Sequence, residues 1–176
     1  MNRYLAATVC LVLLAWTAQI GSAQGNEWAE YVYADDGFAI FAPGEPFRET
    51  GTIRGVGGPV ELHYYSIPLG HDSGFMVIHG RLHPDDQRSP PQVLTDAENG
   101  TVKGVRGSLI AEMPVSLGDY PGLQIEVEAG KYHSRNRYYV VERTLYQLLS
   151  VAPLGRPISP ETDRFFNSFR LVGSSR

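Results

Sequence analysis

From Phe38 to Val172 apolar and polar residues alternate in short runs broken by Gly, Pro and Asp, the pattern of strands joined by tight turns. Phe38-Ala39-Ile40-Phe41-Ala42, closed by the turn pair Pro43-Gly44, predicts one strand. Phe47 to Ile53 predicts a second, which ends in a loop containing Gly55, Gly57, Gly58 and Pro59. The next two runs alternate more cleanly. Val60, Leu62 and Tyr64 share an apolar face opposite Glu61, His63 and Tyr65, and Met76, Ile78 and Leu82 share one opposite His79, Arg81 and His83. With Leu69 to Gly74 as the loop between them, these runs form a hairpin. The register that keeps their apolar faces together sets His63 opposite His79 and Glu61 opposite Arg81, because a one-residue slip would mix the faces.

Ser89-Pro90 supplies an N-cap and a first-turn proline, and Leu94, Ala97, Thr101 and Val105 follow at helical spacing. Gly100 and Gly104 each cost this helix about 1 kcal/mol relative to alanine, so it leans on tertiary contacts. Gly107 to Leu117, Leu123 to Glu128, Tyr132 to Val141 and Leu145 to Ala152 predict four further strands. A second cap, Ser159-Pro160, opens a short helix carrying Phe165, Phe166 and Phe169. Strands in sequential hairpins with two separated helices define an α+β domain on an antiparallel sheet flanked by helices.

The ends of the chain change the picture. Met1 to Ala23 has the form of a secretory signal peptide: Arg3, then the apolar run Leu5 to Ile20, then Gly21-Ser22-Ala23. The expected organisation is a signal over 1–23, an N-terminal segment over 24–36 and a single domain over 37–173. The expected location is secreted or periplasmic. Cys10, the only cysteine of the 176 residues, lies inside the signal, so the mature chain has no disulfide and no thiolate ligand. Lipid attachment there would leave Leu11 to Ile20 on the product, and a lipid-free protein is expected. Beyond the signal no stretch approaches the ~18 apolar residues of a membrane-spanning helix. The net charge of −4 argues against a general affinity for nucleic acid or anionic lipid.

Chemistry-bearing residues are sparse. Opposed strand residues bring their Cβ atoms to about 4.5–5.5 Å, close enough for His63 and His79 to share a zinc or copper ion, with Glu61 as a third ligand. Against that stands a solvated polar face carrying a surface Glu61–Arg81 ion pair. Lys131, His133, Arg135 and Arg137, interleaved with tyrosines, resemble a single-strand nucleic-acid surface. A turn at Ala129-Gly130, however, would set Glu128 against Lys131 and Glu126 against His133, so the basic line meets an acidic one. His83-Pro84-Asp85-Asp86 lacks the ligand spacing of a calcium loop. Ser108 and Ser150 lack a nucleophile elbow, and the glycines at 55, 57 and 58 precede a strand rather than a phosphate-binding helix.

Phe38 to Pro46, Tyr120-Pro121-Gly122, Leu145-Tyr146-Gln147-Leu148 and Asp163 to Leu171 together resemble the Mog/PsbP superfamily, especially its uncharacterised secreted bacterial members. The resemblance implies a PsbP-like α/β/α sandwich and transfers no catalytic or metal residue, since roles within that fold differ. The sequence thus leads to an exported, non-enzymatic binding domain without a cofactor, its partner a protein or envelope component. The alternative is a metal-binding protein that uses His63, His79 and Glu61.

Overall fold

The computed structural model describes residues 27–156 and 160–173; the signal segment 1–23 and the Ser159 cap lie outside them. Two sheets carry the chain. β1 (Ala29–Tyr33) and β2 (Phe38–Ala42) form a hairpin, which the closing β10 (Arg170–Leu171) extends into a three-stranded sheet of order β1-β2-β10. The remaining strands are β3 (Phe47–Arg54), β4 (Pro59–Pro68), β5 (Gly74–Arg81), β6 (Ser108–Leu117), β7 (Tyr120–Ala129), β8 (Tyr132–Val141) and β9 (Thr144–Pro153). They make a seven-stranded sheet of order β3-β4-β5-β9-β8-β7-β6. Every pairing in both sheets is antiparallel.

Helix α1 (Pro90–Gly104) starts at Ser89, whose N–H donates to Gln92 Oε1 at 2.8 Å. Its apolar stripe of Val93, Leu94 and Ala97 packs on Leu123, Ile125 and Val127 of β7 and on Tyr138 and Val140 of β8. Gly100 and Gly104 are buried on the same helix, which explains the two glycines that weaken it in isolation. The other face of the large sheet carries the main core. There Tyr65, Val77 and Leu148 meet Phe38 and Ile40 of β2 and Phe165 and Phe166 of α2 (Pro160–Ser168).

Among the described residues the fold is therefore mostly antiparallel strand with two helices, and the expected α/β/α sandwich is only partly present. Helix α1 lies on one face of the large sheet, whereas α2 shares the opposite face with the three-stranded sheet. That small sheet also overturns the expectation of a solvated hairpin face. Tyr65 and Ile67 are buried beneath it, and His79 is 8% exposed. Alternation separates the two faces of a strand but does not reveal what covers each one. A second correction concerns β7 and β8. The turn falls at Gly130-Lys131, with Gly130 at φ 58°, so Glu128 faces His133 and Glu126 faces Arg135. The expected Glu128–Lys131 opposition is lost because the glycine takes the left-handed first turn position.

Candidate metal site

The β4–β5 ladder pairs His63 with His79, Tyr64 with Ile78 and Tyr65 with Val77, the register that the hydrophobic alternation requires. Both imidazoles project toward the three-stranded sheet, with ring centroids 4.7 Å apart. Facing them is Asp36, in the turn between β1 and β2. Backbone bonds from Asp36 N to Tyr33 O (3.1 Å) and from Gly37 N to Ala34 O (3.2 Å) close that turn. Gly37 takes φ 77°, and a Cβ there would stand 3.0 Å from the Tyr146 hydroxyl. That hydroxyl donates to the Asp36 carbonyl at 2.9 Å, anchoring the turn to β9 of the large sheet.

The carboxylate is oriented on both sides. Asp36 Oδ2 accepts hydrogen bonds from the Tyr65 hydroxyl and from Arg48 Nη2, the latter at 3.2 Å. The other oxygen, Oδ1, lies 3.2 Å from His63 Nδ1 and 3.2 Å from His79 Nε2. A tetrahedral zinc with bonds of 2.0–2.2 Å separates its ligand atoms by about 3.3 Å, so both Asp–His spacings match edges of such a site. The ligand atoms of Asp36, His63 and His79 all fall within 4.8 Å of one another. On the far side of the His63 ring, Nε2 is 3.0 Å from Glu61 Oε1. With Nε2–H donated to Glu61, the Nδ1 lone pair is left facing the cluster, the arrangement by which carboxylates orient metal-binding histidines.

His79 is the least satisfied member. Its Nε2 is buried and makes no well-formed hydrogen bond among the described residues, although Asp36 Oδ1 lies 3.2 Å away. Burial lowers the His79 pKa and the Asp36 charge only partly offsets it, so the ring is held toward its neutral, ligating form. Burial, and then the hydrogen bond to Asp36, pushes the Tyr65 phenol well up, which keeps it a donor. Burial also raises Tyr33 to about 12. Tyr33 packs 4.4 Å from the Tyr65 ring, and the Arg48 guanidinium lies over both rings at 5.3 Å.

The structure thus brings together His63 and His79 and adds Asp36, which the sequence reading placed in the N-terminal segment without a role. Glu61 comes to the cluster at the outer nitrogen of His63 rather than beside His79, and it holds His63 in place of the expected Arg81. Asp35-Asp36-Gly37 between the aromatic runs at Tyr31 and Phe38 is a hairpin-turn signal that could have located Asp36. The other candidates are engaged structurally. Arg135 bridges Glu126 (2.9 Å) and Asp163 (2.7 Å), and Arg137 donates to Gln124 and lies over the Phe166 ring. Asp86 is buried against Arg88, leaving no open calcium loop there.

No family model matches the chain, and no curated protein matches it. The fold is similar to the solution structure of the cyanobacterial PsbP protein CyanoP from Synechocystis sp. PCC 6803, with a TM-score of 0.57. The match covers 89% of this chain and 99% of that one at 14% sequence identity, which shows a PsbP-like fold and nothing finer. Among the described residues no helix is long and apolar enough to cross a membrane.

Proposed function

We propose that this chain is an exported, non-enzymatic accessory domain that holds a divalent first-row metal ion between Asp36, His63 and His79. The observation that carries this reading is His79 Nε2, buried without a hydrogen-bond partner among the described residues and 3.2 Å from a carboxylate oxygen that His63 also faces. A buried polar atom in that state costs about 1–3 kcal/mol, and a metal ion would satisfy it. Two imidazoles and one carboxylate suit zinc, copper or nickel better than calcium or magnesium. Three protein ligands leave a position open for water or for a donor from a partner protein or envelope component. His63 forms the accessible side of the cluster, its side chain 28% exposed, so an ion can enter without unfolding the sheet.

Calorimetric zinc titration of the chain tests this. The expected result is one zinc per chain with a submicromolar Kd, abolished by Asp36→Ala and by His79→Ala in proteins whose circular dichroism is unchanged. Glu61→Gln should retain the stoichiometry and weaken binding by about tenfold to a hundredfold, the usual effect of losing a carboxylate that orients a ligating histidine. No saturable binding, or binding that survives Asp36→Ala, would overturn the reading.

A further inference from the structure

The opposite face of β4 and β5 carries a second feature that the metal site does not use. Helix α1 packs over β7 and β8 and leaves a cleft beside it on the same face of the large sheet. The cleft is a cavity of about 550 Å³. Val60, Leu62 and Ile78 form its floor, Val93 and Ala97 of α1 one wall, and Ile53 of β3 another. The volume lies within the range of pockets that enclose a small organic ligand, about 300–1,000 Å³.

The polar groups at its base need no partner from outside. Thr101 Oγ1 and the Tyr138 hydroxyl share a hydrogen bond of 2.7 Å, and Gln147 Nε2 donates to Asn136 Oδ1 at 2.9 Å. Burial pushes the Tyr138 phenol well up, so it stays neutral. The deep part therefore suits an apolar body. The margin is charged, with Arg54, Arg88 and Lys103 set against Asp86 and Asp96. Arg88 is bonded to both of those carboxylates, at 2.7 Å in the case of Asp96. The three cations of the lining outnumber its two carboxylates, so the lining is net positive by formal charge, and Lys103 stands exposed in the last turn of α1.

We propose that this cavity binds a single-chain amphiphile, its apolar chain lying between α1 and β4–β5 and its carboxylate head at the Lys103 side of the mouth. A two-chain lipid exceeds the volume, an amine head meets the wrong sign of charge, and a fully polar ligand finds its hydrogen-bonding groups already paired at the base.

The test is displacement of a dansyl-labelled undecanoate, followed by fluorescence below the probe's micelle concentration, with a chelator present so that the result is independent of any metal. Saturable one-to-one binding is expected, with dodecanoate displacing the probe at least tenfold better than dodecylamine. Ala97→Trp, which fills the wall, should abolish binding. The exposed Lys103→Glu should leave the melting temperature unchanged and weaken dodecanoate by about three- to tenfold, as expected for reversing a solvent-exposed charge contact. Absence of saturation, equal displacement by the amine, or full binding in a folded Ala97→Trp variant would overturn the proposal.

Discussion

His63 and His79 face each other across β4 and β5, and each presents a ring nitrogen 3.2 Å from the same oxygen of Asp36. The histidines belong to the seven-stranded sheet, whereas Asp36 belongs to the hairpin of the three-stranded one. The cluster is therefore a joint between the two sheets as well as a ligand set. Whatever occupies it links the β1–β2 turn to the β4–β5 ladder.

Metal binding should accordingly stabilise the fold and not merely decorate it. An ion that binds only the folded state at a free concentration of 100 times its Kd adds about 2.7 kcal/mol. For a domain of this size that corresponds to a rise in Tm of about 5–10 °C. Thermal melts with and without zinc should show that rise in the wild type and none in Asp36→Asn, which keeps the volume but loses the charge. An equal rise in both would mean that zinc binds elsewhere.

The turn that carries Asp36 should be intolerant of a side chain at Gly37. Alanine at φ 77° costs about 1–2 kcal/mol, and its Cβ would press on the Tyr146 hydroxyl at 3.0 Å. Because that hydroxyl bonds the Asp36 carbonyl, Gly37→Ala should both destabilise the domain and weaken zinc binding. Urea denaturation and zinc titration of the same sample measure the two effects. A variant with unchanged stability would show that the turn relaxes at no cost.

How much of this was legible in the sequence can be read from His79. Its cross-strand partner was, since only one register keeps Tyr64 and Ile78 on a common face. Its burial was not, because the cover over that face comes from residues 29–42 and from Arg170 and Leu171, far away along the chain. Asp36 was missed for the same reason. Nothing local to a turn aspartate records which distant histidines it will meet, and β1 reads as a loose aromatic lead-in until β2 pairs with it. Alternation places Glu61 on the face of His63, whose Nε2 it meets at 3.0 Å, but it cannot tell a carboxylate that would touch an ion from one that would hold the far side of an imidazole.

Acid should weaken the tie between the loop after β5 and α1. Hydrogen bonds from Arg88, partly opposed by burial, hold the Asp86 carboxyl below its usual range. A carboxylate with a depressed folded pKa contributes stability that is fully present above its unfolded value of about 3.9 and is lost as pH falls through the folded value. Melting temperatures recorded from about pH 6 down to pH 2 should therefore fall more steeply in the wild type than in Asp86→Asn. At neutral pH the same variant should be less stable by about 1.5–3 kcal/mol, the range for losing hydrogen bonds to a charged partner. Parallel pH profiles would show that the Asp86–Arg88 pair is not what acid breaks.

The joint between α2 and the large sheet should behave as an aromatic couple. Phe75 of β5 and Phe165 of α2 stack with centroids 4.5 Å apart and planes 8° from parallel, and both are fully or almost fully buried. Phe165→Ala removes a ring from a closed core and should cost about 3–5 kcal/mol, a large share of a domain's net stability of about 5–15 kcal/mol. That loss alone does not distinguish stacking from simple burial, since any large apolar side chain would leave a cavity. A double-mutant cycle on Phe75→Leu and Phe165→Leu does, because leucine keeps most of the apolar volume and removes the π-face. If the stacked geometry contributes beyond area, the two substitutions should be non-additive by about 0.5–1.5 kcal/mol in urea denaturation. Strict additivity would mean that α2 is held on the sheet by volume alone, and an aliphatic pair at these positions would then seat it equally well.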